Sequence, residues 1–242
     1  MNQKIDHLLN SLGFGFPETP EQIDLFNEVY RDYEFRANPS RIDPMKILAS
    51  VRQKPVEITR IDYHKRTVLA AEIVHELHRE WSLGHVKLQK LIYLCQNTTD
   101  MAIHTNFLKQ AMGPYDPKLM RSIDAQFKRN EWFEFRRDSS QKYWPLGKAG
   151  GHKEWYERYF SKQREEIQTL IDVFRTMKTS KVELIGTIYA CWKEIIEEED
   201  EFSVESLVPK FYGWSDHKQK YKLDEIRDSI SWMLDYGLYP TG

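Results

Sequence analysis

Three groups of side chains in this sequence are of a kind that can do chemistry. The first is His75-Glu76-Leu77-His78, where two imidazoles three residues apart share one helix face and can reach toward one ion. The spacing is not that of a zinc protease, which needs histidines four apart with Glu directly after the first. No second cluster supplies the missing ligands, so the expectation is two solvent-facing histidines and no metal. The second group is Cys95 and Cys191, the only cysteines. A nucleophilic thiolate needs a neighbouring positive charge, whereas Leu91-Ile92-Tyr93-Leu94 surround Cys95 with apolar groups that raise its pKa. Both cysteines read as small buried thiols and not as a disulfide framework.

The third group is basic: Lys118, Arg121, Lys128, Arg129, Arg136, Arg137 and Lys142. From Lys118 to Asn130 the period is helical, with Leu119, Met120, Ile123 and Phe127 on one side and Lys118, Arg121, Lys128 and Arg129 on the other. Cations so arranged can track phosphates while the helix approaches a groove. The plainer reading is a solvated helix face built from the same residues. No phosphate-binding loop, nucleophile elbow or dinucleotide fingerprint occurs, so neither an enzyme nor a cofactor is expected.

The charges are unevenly spread although the formal total is only -2. Residues 121–164 hold eleven Lys or Arg against six Asp or Glu, whereas residues 165–242 hold nine against sixteen. Such polarity permits an anionic partner at the middle of the chain and a different partner at its acidic end. No stretch approaches the roughly 20 apolar residues that cross a bilayer, and Asn2-Gln3-Lys4 does not begin a signal peptide. The expectation is a cytoplasmic protein without membrane contact.

These side chains must be positioned by mostly helical elements. Ile5, Leu8, Leu9 and Leu12 suggest a short helix, and Thr19-Pro20 with Gln22 opens another through Ile23, Phe26, Val29, Tyr30 and Tyr33. Pro39, Pro44 and Pro55 punctuate an arm or linker running to Arg66. Leu69, Ala70, Ile73, Val74, Leu77 and Trp81 define one amphipathic helix, closed by Gly84, and Leu88, Leu91, Ile92 and Cys95 the next. After the turn-rich Gly113-Pro114-Tyr115-Asp116-Pro117 comes the basic helix. Trp132 to Arg137 and Lys142 to Trp144, split by Asp138-Ser139-Ser140-Gln141, then read as a β-hairpin. This is the element order of a winged helix-turn-helix. Gly147, Gly150 and Gly151 suggest a boundary before further helices through Ile167–Met177, Leu184–Ile196, Leu207–Phe211 and Leu223–Leu234. The predicted fold is mainly α: an N-terminal helical and Pro-punctuated part (1–66), a winged-helix-like unit with one small β-hairpin (67–150) and a C-terminal helical domain (151–242).

The segment His85-Val86-Lys87-Leu88-Gln89-Lys90-Leu91-Ile92-Tyr93-Leu94, the Phe107–Pro117 run and Glu131-Trp132-Phe133 carry a family likeness. Over residues 60–240 the chain resembles an accessory region of proteins labelled type I restriction-modification specificity subunits. Over residues 68–130 it is more loosely similar to the Panacea antitoxin domain, which also pairs a Lys-Leu-Gln-Lys-Leu-x-Tyr helix with a Gly-Pro turn. A typical specificity subunit carries two target-recognition domains, for which 242 residues leave no room. The resemblance therefore implies a nonenzymatic accessory module of a defence system, docking on duplex DNA or on the restriction complex. Its alternative is an antitoxin that neutralises a toxin by protein contact.

Overall fold

A computed structural model of the protein describes residues 59–241, except 102, 104 and 138–140. The helices expected near residues 5–12 and 19–33, and most of the Pro-punctuated arm, lie outside the described residues. Within them the fold is mainly helical, with two small antiparallel hairpins. No described helix is long and apolar enough to cross a membrane.

The first described helix, α1 (Arg60–Leu77), begins inside the segment expected to be arm. Thr59 and Asp62 form a reciprocal capping box, each side chain accepting from the other's backbone N–H, which satisfies amide groups that a helix start leaves free. Helix α1 stops at Leu77, so Trp81, expected on its apolar stripe, falls in the following turn and is 62% exposed. Helix α2 (His85–Thr98) follows, with every residue from Lys87 to Cys95 buried.

Between α2 and the basic helix, where the sequence suggests only turn, the chain forms a hairpin: β1 (Leu108–Gln110) pairs with β2 (Gly113–Tyr115). Strands of three residues are too short to display a period of two. Helix α3 (Pro117–Arg129) comes next, then the expected ribbon of β3 (Phe133–Arg136) and β4 (Lys142–Pro145). The order of a winged helix-turn-helix is present. However, residues 99–116 and a hairpin separate α2 from α3, where a helix-turn-helix has a turn of about three or four residues. Helix α3 packs on α1 and on β3.

The remaining helices are α4 (Lys153–Phe160), α5 (Arg164–Phe174), α6 (Thr179–Glu197), α7 (Val204–Tyr212) and α8 (Leu223–Asp235), with a 3-10 turn at Asp216–Lys220. Helix α6 is the hub. Val182 to Trp192 are all buried, as befits a helix covered on every side, and α2, β2, α7 and α8 pack around it. Residues 58–242 form one compact unit, so the core is continuous across residue 150, where the glycines suggested a division.

Candidate nucleic-acid interface

The turn leading into α3 is fixed by the polar residues of α2. Gly113 has φ of +92°, and a Cβ there would lie 2.5 Å from the Thr187 hydroxyl, so only glycine fits. Its neighbour Pro114 accepts a hydrogen bond from the fully buried Lys90 ammonium at 2.5 Å. Asp116 caps α3 through the Leu119 N–H at 2.9 Å, takes the Asn106 N–H at 3.0 Å, and is bonded through its backbone to Gln89. Pro117 then occupies the first turn of α3, where no amide donor is required.

Lys87 is likewise fully buried. Its ammonium donates to Ser82 Oγ at 2.7 Å and to the Arg175 and Met177 carbonyls, both at 2.9 Å, at the end of α5. Burial above all lowers Lys87 to about 8 and Lys90 to about 7; for Lys90 the charge of Lys218 adds to the lowering and that of Glu183 opposes it. Thus the polar members of the Lys-Leu-Gln-Lys-Leu segment are inside the protein, bonded to backbone carbonyls of distant turns.

Helix α3 presents its basic side outward. Leu119, Met120, Ile123 and Phe127 are buried, while Lys118, Arg121, Lys128 and Arg129 are exposed. His85 and Asp124 lock this helix against the ribbon. His85 Nε2 lies 3.0 Å from Asp124 Oδ2, its ring stacks on Phe135 with centroids 3.6 Å apart, and the buried Tyr143 donates to Asp124 Oδ1 at 3.1 Å. Burial and the Asp124 carboxylate push the Tyr143 hydroxyl well above its usual range.

The packing brings the two halves of the basic set together. Lys128 lies 3.4 Å and Arg136 3.6 Å from the two oxygens of Glu134. Burial and Asp124 raise the Tyr115 hydroxyl, while the Arg121 and Arg137 guanidinium groups act to lower it. Arg129 donates to Gln126 at 3.0 Å. Among the described residues Arg121, Arg137 and Lys142 take part in no ion pair. Arg137 is exposed and Lys142 half-buried.

His75 and His78 are half-buried, not solvent-facing. Both rings pack on Phe133, and His75 lies 5.4 Å from the ring of His152, a neighbour seventy-seven positions along the chain that spacing could not reveal. His152 is fully buried and bonds Glu72 at 2.8 Å, and Lys153 bonds the other oxygen of Glu72 at 2.7 Å. No group of three possible ligands among the described residues could hold a metal ion. Cys95 and Cys191 are buried, and burial pushes both thiols up to about 12.

A shallow cleft of about 300 Å³ is lined by Tyr93, Phe107, Lys109, Lys193, Glu194 and Trp214, among others. It includes none of the basic set. Its charges pair with one another, Lys109 with Glu194 at 3.6 Å and Lys193 with Glu197 at 3.8 Å, and Lys193 also donates to the Asn97 side-chain oxygen at 2.8 Å, so it makes little demand for a ligand.

No family model, curated protein or solved structure matches the chain.

Proposed function

We propose that this protein is a nonenzymatic accessory module of a restriction-modification or related defence system, docking on nucleic acid, on the restriction complex, or on both, through α3 and the β3–β4 ribbon. The observation that carries this reading is the joining of α3 to β3. Cations from two separate sequence segments meet on one surface, and Arg121, Arg137 and Lys142 there have no ion-pair partner among the described residues. Excess positive charge that is not spent internally is what a phosphate backbone takes up.

The test is titration of the full chain with labelled DNA across a salt series. Each phosphate contact adds close to one unit to the slope of log affinity against log salt. Replacing Arg121, Lys128, Arg129 and Arg136 by Ala is expected to weaken binding strongly with the fold intact, since all four are exposed. Absence of binding at low salt, or equal binding by the quadruple variant, removes the nucleic-acid half of the proposal.

The second reading, an antitoxin-like partner of a toxin, is favoured by a different surface. Leu234 (49% exposed) and Tyr236 (59%) leave apolar area uncovered at the end of α8, in the acidic part of the chain. A stoichiometric complex lost on Leu234→Glu and retained in the quadruple variant would support it.

A further inference from the structure

The outward face of the β3–β4 ribbon differs from the rest of the basic surface in carrying a large ring. Alternation along the strands turns Phe133, Phe135 and Tyr143 inward and leaves Glu134, Arg136, Lys142 and Trp144 outward, with Trp144 opposite Glu134 and Lys142 opposite Arg136. Trp144 is 44% exposed, and the Arg136 guanidinium carbon stands over one side of its ring, 4.8 Å from the centroid, which leaves the other side for a ligand. An indole offers a large apolar face, and this one is left outside the core between cations. The carboxylate beside it, Glu134, is already shared between Lys128 and Arg136.

A flat ring among cations suits a ligand that has both negative charge and uncovered planar faces. Intact duplex meets only the first condition, because each base is stacked on its neighbours. A single strand meets both, offering phosphates to the cations and base faces to the ring. The exposed side of α3 agrees with this division of labour. It carries Lys118, Arg121, Lys128 and Arg129, which suit phosphates, while the one side-chain amide within the helix, Gln126, is bonded to Arg129.

We infer that Trp144, framed by Arg136 and Lys142, is a base-stacking platform, and that the ligand of this surface is single-stranded nucleic acid. The inference rests on the nucleic-acid reading above and adds the strand state to it.

The test compares the full chain with its Trp144→Ala and Trp144→Phe variants in fluorescence anisotropy. The probe is a labelled DNA of about 15 nucleotides, long enough for a site of this kind, used as a single strand and as the duplex with its complement. The parent is expected to bind the single strand more tightly. Trp144→Ala is expected to lose roughly tenfold on the single strand and less than about twofold on the duplex, with Trp144→Phe between parent and Ala. Thermal melting should be little changed in either variant, since the ring is largely outside the core. Preference of the parent for duplex, or equal losses or no loss on both probes in Trp144→Ala, overturns the platform. In those cases binding to DNA persists and the wider reading stands. If the parent binds neither probe at low salt, both fall together.

Discussion

Gln89 and the backbone of Asp116 hold each other in both directions: the Gln89 amide nitrogen donates to the Asp116 carbonyl at 2.8 Å, and its oxygen accepts the Asp116 N–H at 3.0 Å. Both groups are buried. Gln89→Ala is expected to leave a buried donor and a buried acceptor without partners and to cost about 2–4 kcal/mol of stability. Urea denaturation measures it, and a loss below roughly 0.5 kcal/mol, the range of surface substitutions, would show that water replaces the amide.

A second prediction concerns acid. Burial pushes the carboxyls of Glu72 and Glu183 up, but hydrogen bonds from His152 and Lys153 to the first, and from Lys218 and Lys220 to the second, more than offset it and hold both below the ordinary value of 4.5. Groups depressed on folding contribute stability that is complete above the unfolded value and fades as pH falls through the folded one. Thermal melting is therefore expected to decline below about pH 4.5. Glu72→Gln and Glu183→Gln should each lower stability at neutral pH and flatten that decline. A decline equally steep in both variants would assign it to other carboxylates.

Lys90 acts with the same sign of pH dependence, in a higher window. The unfolded chain keeps this ammonium protonated to about pH 10, while the folded protein releases the proton near 7. The unfolded state thus binds more protons across that window, and the Lys90 contribution makes stability rise with pH there. Lys90→Met is expected to remove the slope. Denaturation midpoints at pH 7 and pH 9 in parent and variant provide the measurement, and an identical slope in both would contradict it.

The same lysine sets the distance between α2 and α6. A Cβ on Gly186 would come within 2.9 Å of Lys90 Cδ and 3.4 Å of its Cγ. Gly186→Ala is expected to destabilise by about 1–3 kcal/mol through overpacking. In the Lys90→Ala background that cost should fall by more than the roughly 0.5 kcal/mol seen for independent sites. Additive losses in the double-mutant cycle would place the strain elsewhere.

On the basic surface, Glu134 competes with any anion for Lys128 and Arg136. Glu134→Gln is expected to tighten binding to a labelled oligonucleotide by about two- to fivefold, the range of an exposed ion pair. Weaker binding would mean that the carboxylate positions the two cations productively.

Much of this arrangement was legible in the sequence where period and length agreed. The α3 stripe of Leu119, Met120, Ile123 and Phe127 and the ribbon at 133–145 are visible because amphipathic spacing and aromatic alternation run long enough to be counted. The start of α1 is marked by Thr59 and Asp62, a polar capping signal that lies ahead of the helix's first apolar stripe residue and so outside the reach of apolar period. What spacing could not show is contact across the chain. Lysine is normally an exposed residue, and nothing local marks Lys87 and Lys90 as buried. Their partners at Arg175, Met177 and Pro114 lie far away in sequence. The meeting of His75 with His152, and the continuity of the core around α6, are of the same kind.

The inward placement of Lys87, Gln89 and Lys90 has a consequence for inheritance. A segment whose polar side chains all serve distant backbone carbonyls constrains the shape of the molecule and says nothing about its ligand. Two proteins sharing this helix and the Gly-Pro turn it holds would share a scaffold. Their outward residues, here Arg121, Arg136 and Trp144, would be free to diverge at small cost in stability. One ancestral frame could in that way come to serve a nucleic acid in one lineage and a protein in another.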